Sequence, residues 1–178
     1  MLHDSHALVV PDRTVVVRKG MFQRTAYEQV FIPRNVMEIQ QGSFRDWKNL
    51  KKVVFEEGSV LKKIGERAFD SCCKLNSIEL PNNLTEIGQN AFCSSGLENF
   101  KAPKSLRIIC QSAFQNCLQL KRVQLNEGLD TLGTDEYPDG KYRCGVFEDC
   151  ALESIYLPST LKRIEYRVFM KCKNLKRV

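Results

Sequence analysis

A phenylalanine returns seven times in one local setting, and this limits the chain to folds built by stacking a short unit. Phe22, Phe44, Phe69, Phe92, Phe114, Phe147 and Phe169 follow at spacings of 22, 25, 23, 22, 33 and 22 residues. An aliphatic stands five positions before most of them: Val17, Ile39, Ile64, Ile87, Ile109 and Ile164. Five or six residues after each stands Tyr27, Leu50, Leu75, Leu97, Leu120, Leu152 or Leu175. Further on lie the apolar pairs Val30/Ile32, Val53/Phe55, Ile78/Leu80, Phe100/Ala102, Val123/Leu125 and Ile155/Leu157. These alternate with outward residues at period two, the pattern of a strand. Leu8, Val10 and Pro11 fit the same frame, which places an earlier unit at the start.

Five of the six prolines, Pro11, Pro33, Pro81, Pro103 and Pro158, directly follow these pairs. Proline cannot donate to a ladder and fixes φ, so it belongs where a strand ends. Glu56 and Asn126 fill that slot in two other units. A second short extended stretch follows, as in Leu84-Thr85-Glu86-Ile87. Gly65-Glu66-Arg67-Ala68-Phe69 then reads as a tight turn or a single helical turn. A unit of roughly 22 residues cannot bury its apolar side alone, whereas stacked units cover one another. At about 4.8 Å between stacked strands, seven coils make a rod about 34 Å long.

Stretches such as Ile64-Gly65-Glu66-Arg67-Ala68-Phe69-Asp70-Ser71-Cys72, Ile87-Gly88-Gln89-Asn90-Ala91-Phe92 and Leu152-Glu153-Ser154-Ile155-Tyr156-Leu157-Pro158 resemble the BspA-like leucine-rich repeat. The resemblance covers about residues 8–178. It implies an α/β leucine-rich-repeat solenoid, rich in β-structure. The coil is expected to be right-handed, with a parallel sheet on one face and short strands and helical turns elsewhere. Residues 1–7 are then a polar leader, and 8–178 a single solenoid of about seven repeats. The family occurs in bacterial surface antigens and in protist proteins, and its bacterial members are associated with adhesion to host matrix proteins and other cells. The implied partner is an extracellular-matrix or cell-surface protein, and the implied location is the cell surface or the extracellular space.

Departures from the repeat are as informative as its matches. The slot three residues after each Phe holds Thr25, Trp47, Cys72, Ser95, Cys117, Cys150 and Cys172. Trp47 is far larger than the others, so its coil is expected to bulge or to expose the ring. Residues 56–61 carry two extra residues, including Glu57-Gly58-Ser59. The largest insertion lies at about 134–144, with a strong turn signal at Pro138-Asp139-Gly140. The chain stops at Val178, an inward strand position with no visible C-terminal cap, which leads to the expectation of a fragment. Met1–His6 shows no basic or apolar region of a signal peptide, and no apolar run reaches the length of a membrane span.

Eight cysteines raise the question of metal or disulfide chemistry. Cys72, Cys117, Cys150 and Cys172 share one repeat slot and should form a row of buried, unpaired thiols. No CxxC pair is present, and no metal or other cofactor is expected. A Cys144–Cys150 bridge across the insertion is left open. The only histidines, His3 and His6, precede the repeats, so no Ser/His/Asp or Cys/His constellation assembles in the body. Enzyme activity is not expected. A thiol enzyme or redox protein would instead need an activated, exposed cysteine, with Cys144 or Cys93 as candidates. The net charge is +6, but the dibasic steps Lys51-Lys52, Lys121-Arg122 and Lys176-Arg177 alternate with neutral or acidic steps. That broken stripe does not make a phosphate track, so nucleic acid is not an expected partner.

The expected function is a non-catalytic protein-binding or adhesion module presenting a rigid β-face. The outward strand positions should align as Val9, Phe31, Val54, Glu79, Lys101, Gln124 and Tyr156. Arg122 belongs to the flanking outward row, with Gln29, Lys52, Ser77, Asn99 and Ser154. Phe31, Val54, Glu79, Lys101, Arg122, Gln124 and Tyr156 are the candidate contacts on this face. Tyr137 and Tyr142 in the insertion form a second candidate patch. An intracellular, cytoplasmic scaffold of the same fold is the alternative, in keeping with a thiol-rich chain.

Overall fold

The computed structural model describes residues 6–22, 26–133 and 144–178. Every strand in it is short and pairs in parallel with its counterpart one coil away. A long ladder runs through β2 (Val16–Val17), β4 (Glu38–Ile39), β6 (Lys63–Ile64), β7 (Glu86–Ile87), β9 (Ile108–Ile109), β11 (Thr131–Leu132) and β13 (Arg163–Ile164). These are the aliphatics that precede each Phe, and their inward members from Val17 to Leu132 are fully buried. The opposite face is built from the apolar pairs. One sheet there joins β1 (Ala7–Val9), β3 (Gln29–Ile32) and β5 (Lys52–Phe55). The other joins β8 (Asn99–Lys101), β10 (Arg122–Gln124) and β12 (Ser154–Tyr156).

The seven phenylalanines form one continuous column. Ring centroids are 6.3 Å apart for Phe22–Phe44 and 5.2 Å for Phe44–Phe69. They then follow at 5.3, 5.4, 5.4 and 6.1 Å up to Phe169. The five inner rings are fully buried, and the terminal two are half-buried. The 33-residue interval between Phe114 and Phe147 leaves their stacking distance unchanged, so the insertion adds chain without opening the core.

No α-helix occurs among the described residues, which corrects the expected helical turns. The residues two before and two after the Phe sit at positive φ: Gly42 and Asp46, Arg67 and Ser71, Asn90 and Ser94, Ser112 and Asn116, Arg167 and Lys171. Alternation with left-handed residues stops a helix from propagating. It also turns main-chain groups along the stack. The N–H groups of Gly42, Phe44 and Asp46 donate to the carbonyls of Glu66, Ala68 and Asp70 at 2.8, 2.9 and 2.9 Å. Arg67, Phe69 and Ser71 repeat the pattern onto Gln89, Ala91 and Cys93. The turns are thus a third ladder between coils.

Two further local expectations need correction. Trp47 is buried, at 6% exposure. Its ring meets Phe44 edge-on at 5.0 Å and 88°, an arrangement in which a positive ring edge faces a negative ring face. The large side chain therefore enters the core. The β-face is also discontinuous. Residues 77–80 belong to no strand, although Ile78 and Leu80 occupy the inward slots. The break follows the two extra residues of the preceding coil. There Gly58 takes φ +77 with nothing within 4 Å of its missing Cβ, so the lengthened corner loops outward.

Candidate protein-binding surface

The β-face holds its outward side chains in two aligned rows per sheet. In the first sheet, Val9, Phe31 and Val54 are direct register partners. Val9 is 64% exposed, Phe31 is 38% exposed and Val54 is half-buried. A groove of about 750 Å³ runs past these three, edged by Arg34, Asp12 and Glu56. In the second sheet, Lys101, Gln124 and Tyr156 are partners, and Tyr156 is 72% exposed. Arg122 lies between Asn99 and Ser154 in the flanking row, and Ser154 bridges on to Arg177. Glu79 is exposed on the unpaired segment between the sheets. The structure thus places the seven candidates on one face but splits the single expected row at Glu79. Tyr137 and Tyr142 lie outside the described residues.

Sequence reasoning missed the consequence of that split. A cleft of about 560 Å³ separates β5 from residues 77–83. The extra residues at 57–58, which line the cleft, are the one irregularity the sequence shows there, and the loss of strand pairing beside them is not visible in it.

Opposite charges on neighbouring coils pair at the edges of the ladders. Lys51 Nζ donates to Glu28 Oε2 at 2.8 Å, and this bond holds the Glu28 carboxyl below its ordinary value. Lys63 pairs with Glu86 at 2.8 Å on the second ladder, where the Glu86 hydrogen bond raises the lysine. Such pairs at the surface set register and complementarity more than stability.

The cysteine row is present as a series of thiol-to-carbonyl bonds. Cys72, Cys117, Cys150 and Cys172 each donate to the carbonyl of the preceding coil's Phe44, Phe92, Phe114 and Phe147, at 3.2, 3.1, 3.1 and 3.0 Å. All eight cysteines are free, so Cys144 and Cys150 are not bridged. Burial pushes the Cys72 and Cys172 thiols up, and pushes Cys93 up to about 11. Its hydrogen bond with Cys117, and then burial, push Cys150 up. For Cys93 this is opposite to the activation a thiol nucleophile needs. Among the described residues, no group of three or more His, Cys, Asp or Glu is placed to hold a metal ion. No helix among them is long and apolar enough to cross a membrane.

The repeat register, the phenylalanine column and the parallel ladders are matched by one known pattern. The BspA type leucine rich repeat region, in six copies, matches residues 15–139 and 140–178. The chain belongs to the BspA-type leucine-rich repeat family. Similar solved structures include a leucine-rich repeat protein from Bacteroides ovatus, with 25% identity and a TM-score of 0.79. That match covers 99% of this chain and 46% of the other. A leucine-rich cell surface protein from Faecalibacterium prausnitzii has 23% identity and a TM-score of 0.76, covering 96% of this chain and 46% of its own. A T. pallidum leucine-rich repeat protein has 23% identity and a TM-score of 0.76, covering 96% and 78%. This BspA-type chain therefore spans about half the length of the first two. No curated protein matches it. Leucine-rich repeat proteins of this kind generally serve as protein-interaction modules and are typically non-catalytic.

Proposed function

We propose that this BspA-type chain is a non-catalytic adhesion module of a cell-surface or secreted protein, binding a protein partner through its β-face. The supporting observation is the outward row itself. Val9 and Phe31 expose apolar and aromatic surface on the first sheet, and Tyr156 does so on the second, beside Gln124 and in the same sheet as Lys101 and Arg122. Exposed aromatics ringed by polar groups are the composition of interface hot spots. Three main-chain ladders fix the face in advance, so binding orders little of the protein. Similarity to a cell surface protein of F. prausnitzii supports the location. The test is protease shaving of intact source cells, with released peptides read by mass spectrometry, followed by binding assays on purified matrix proteins. Release from unlysed cells, and binding reduced by Phe31→Ala or Tyr156→Ala, are expected. Protection until lysis would overturn the surface location.

One observation favours a second reading, an interaction scaffold inside the cell. All eight cysteines are free, as in a reducing compartment. Protection from shaving would select it and turn the search to cytosolic partners.

A further inference from the structure

From the break in the β-face, we infer that the cleft between β5 and residues 77–80 is a docking site for an extended, basic segment of a partner protein. The inference rests on the protein-binding reading above and specifies where on the face, and by what chemistry, a peptide is gripped.

The first argument is main-chain valence. In a parallel ladder, successive residues direct their N–H and C=O groups to opposite neighbours. Lys52 and Glu56 donate back to Glu28 and Ile32, at 3.1 and 2.9 Å. Alternation therefore turns the N–H and C=O of Val53 and Phe55 toward residues 77–80. No backbone hydrogen bond crosses from either side there, although every other coil of the face is joined to a neighbour. Unpaired strand edges are what an added peptide strand uses, and the wall Lys52–Phe55 is about 13 Å long at the rise of a strand.

The second argument is that the opening is confined to the face. Beneath and beside it the same two coils are closed. Phe44 and Phe69 stack at 5.2 Å, Lys74 Nζ reaches Asn49 Oδ1 at 3.0 Å, and Asn83 Nδ2 reaches Ser59 O at 2.8 Å. The cleft is a groove with a firm floor. Main-chain groups line it, together with the half-buried Val54, Phe55 and Leu80.

The third argument is charge, which selects the occupant. Glu56, Glu57 and Glu79 line the cleft against the single cation Lys52. Glu56 is engaged by Arg34 at 3.0 Å, which leaves Glu57 and Glu79, both exposed, to meet an incoming cation. The chain as a whole carries a net charge of +6, so the excess of carboxylates in this cleft runs opposite to the overall balance. A segment alternating Lys or Arg with small apolar residues matches both the carboxylates and the apolar floor.

The experiment uses the full chain and a fluorescein-labelled synthetic peptide alternating lysine and valine. Fluorescence anisotropy should show saturable binding that weakens as salt rises. A peptide with glutamate in place of lysine, and a peptide N-methylated at alternate amides, should both bind at least about tenfold more weakly. Glu57→Lys and Glu79→Lys should cause a similar loss, while Leu118→Ala, at an exposed position outside the cleft lining, leaves the peptide affinity unchanged. Hydrogen exchange supplies a readout that needs no variant. The amides of Val53 and Phe55 should exchange fast in the free protein and slow when the peptide is added. Slow exchange without peptide, or indifference to N-methylation, would overturn the inference. Peptide binding that is lost only in Phe31→Ala would overturn it too, while leaving the broader face reading intact.

Discussion

Truncating one ring in the middle of the phenylalanine column tests the architecture directly. Phe92 is fully buried and lies between Phe69 at 5.3 Å and Phe114 at 5.4 Å. Phe92→Ala removes the ring from both contacts, and the ladders above and below hold the cavity open. Phe→Ala core truncations cost about 3–5 kcal/mol. Two lost ring pairs place this one toward the upper end. Urea unfolding can be followed by the fluorescence of Trp47, the sole tryptophan, which is buried and should emit to the blue. With a denaturant slope of about 2 kcal/mol per molar, the midpoint should fall by about 2 M. Because a solenoid's stability is a nearest-neighbour sum, the transition can also separate into two, with the N-terminal coils that carry Trp47 melting apart from the rest. Phe22→Ala is the internal control. Phe22 is half-buried and has a single ring neighbour at 6.3 Å, so its loss should be much smaller. A Phe92→Ala cost below about 1 kcal/mol, or equal costs at the two sites, would refute the column as the source of stability.

Four other outcomes follow from the same geometry. Gly88→Ala would set a Cβ 2.8 Å from the Gly65 carbonyl carbon and 2.9 Å from the Glu66 nitrogen. Two backbones cannot yield cheaply there, so thermal denaturation should show a loss of about 1–3 kcal/mol. Burial raises Cys93 from 9.0 to about 11, so the native state holds that proton more tightly than the unfolded chain does. Its contribution is complete below pH 9 and is lost as pH rises through about 11, and Cys93→Ser should flatten stability over that window. In thiol labelling at neutral pH, exposed Cys73 should react first, with Cys72, Cys117 and Cys150 protected until unfolding. Replacing residues 134–143 by a short glycine-serine linker should keep the cooperative transition, since Phe114 and Phe147 stack at 5.4 Å across the insertion. Collapse on that replacement would place the segment in the core.

Much of this molecule is written in its sequence, because a repeat states its register many times over. A stacked column needs one residue type at one phase, and Phe22 through Phe169 supply it. Proline after each apolar pair marks where strands stop, and the cysteine slot marks a row of inward thiols. Other features depend on how coils meet, which no single repeat encodes. Trp47 looked too large for its slot, but its edge-on packing against Phe44 is a relation between two rings. The turns before each Phe read equally as helix or turn. Bonds to the neighbouring coil decide for the turn, because alternating left-handed residues can satisfy N–H groups across the stack.

The candidate site divides in the same way. Period-two alternation determined which side chains point outward, and Phe31, Lys101, Arg122 and Tyr156 do so. Only the tertiary structure decided whether those outward residues form one row or two. Strand pairing is a property of two chain segments at once. An extra residue pair at 57–58 is a small local event, and the coil that follows it is the one without a strand on this face. Residues 77–80 have the composition of a strand and none of its ladder bonds, to β5 on one side or to β8 on the other, because pairing needs a matching edge that their own sequence does not supply.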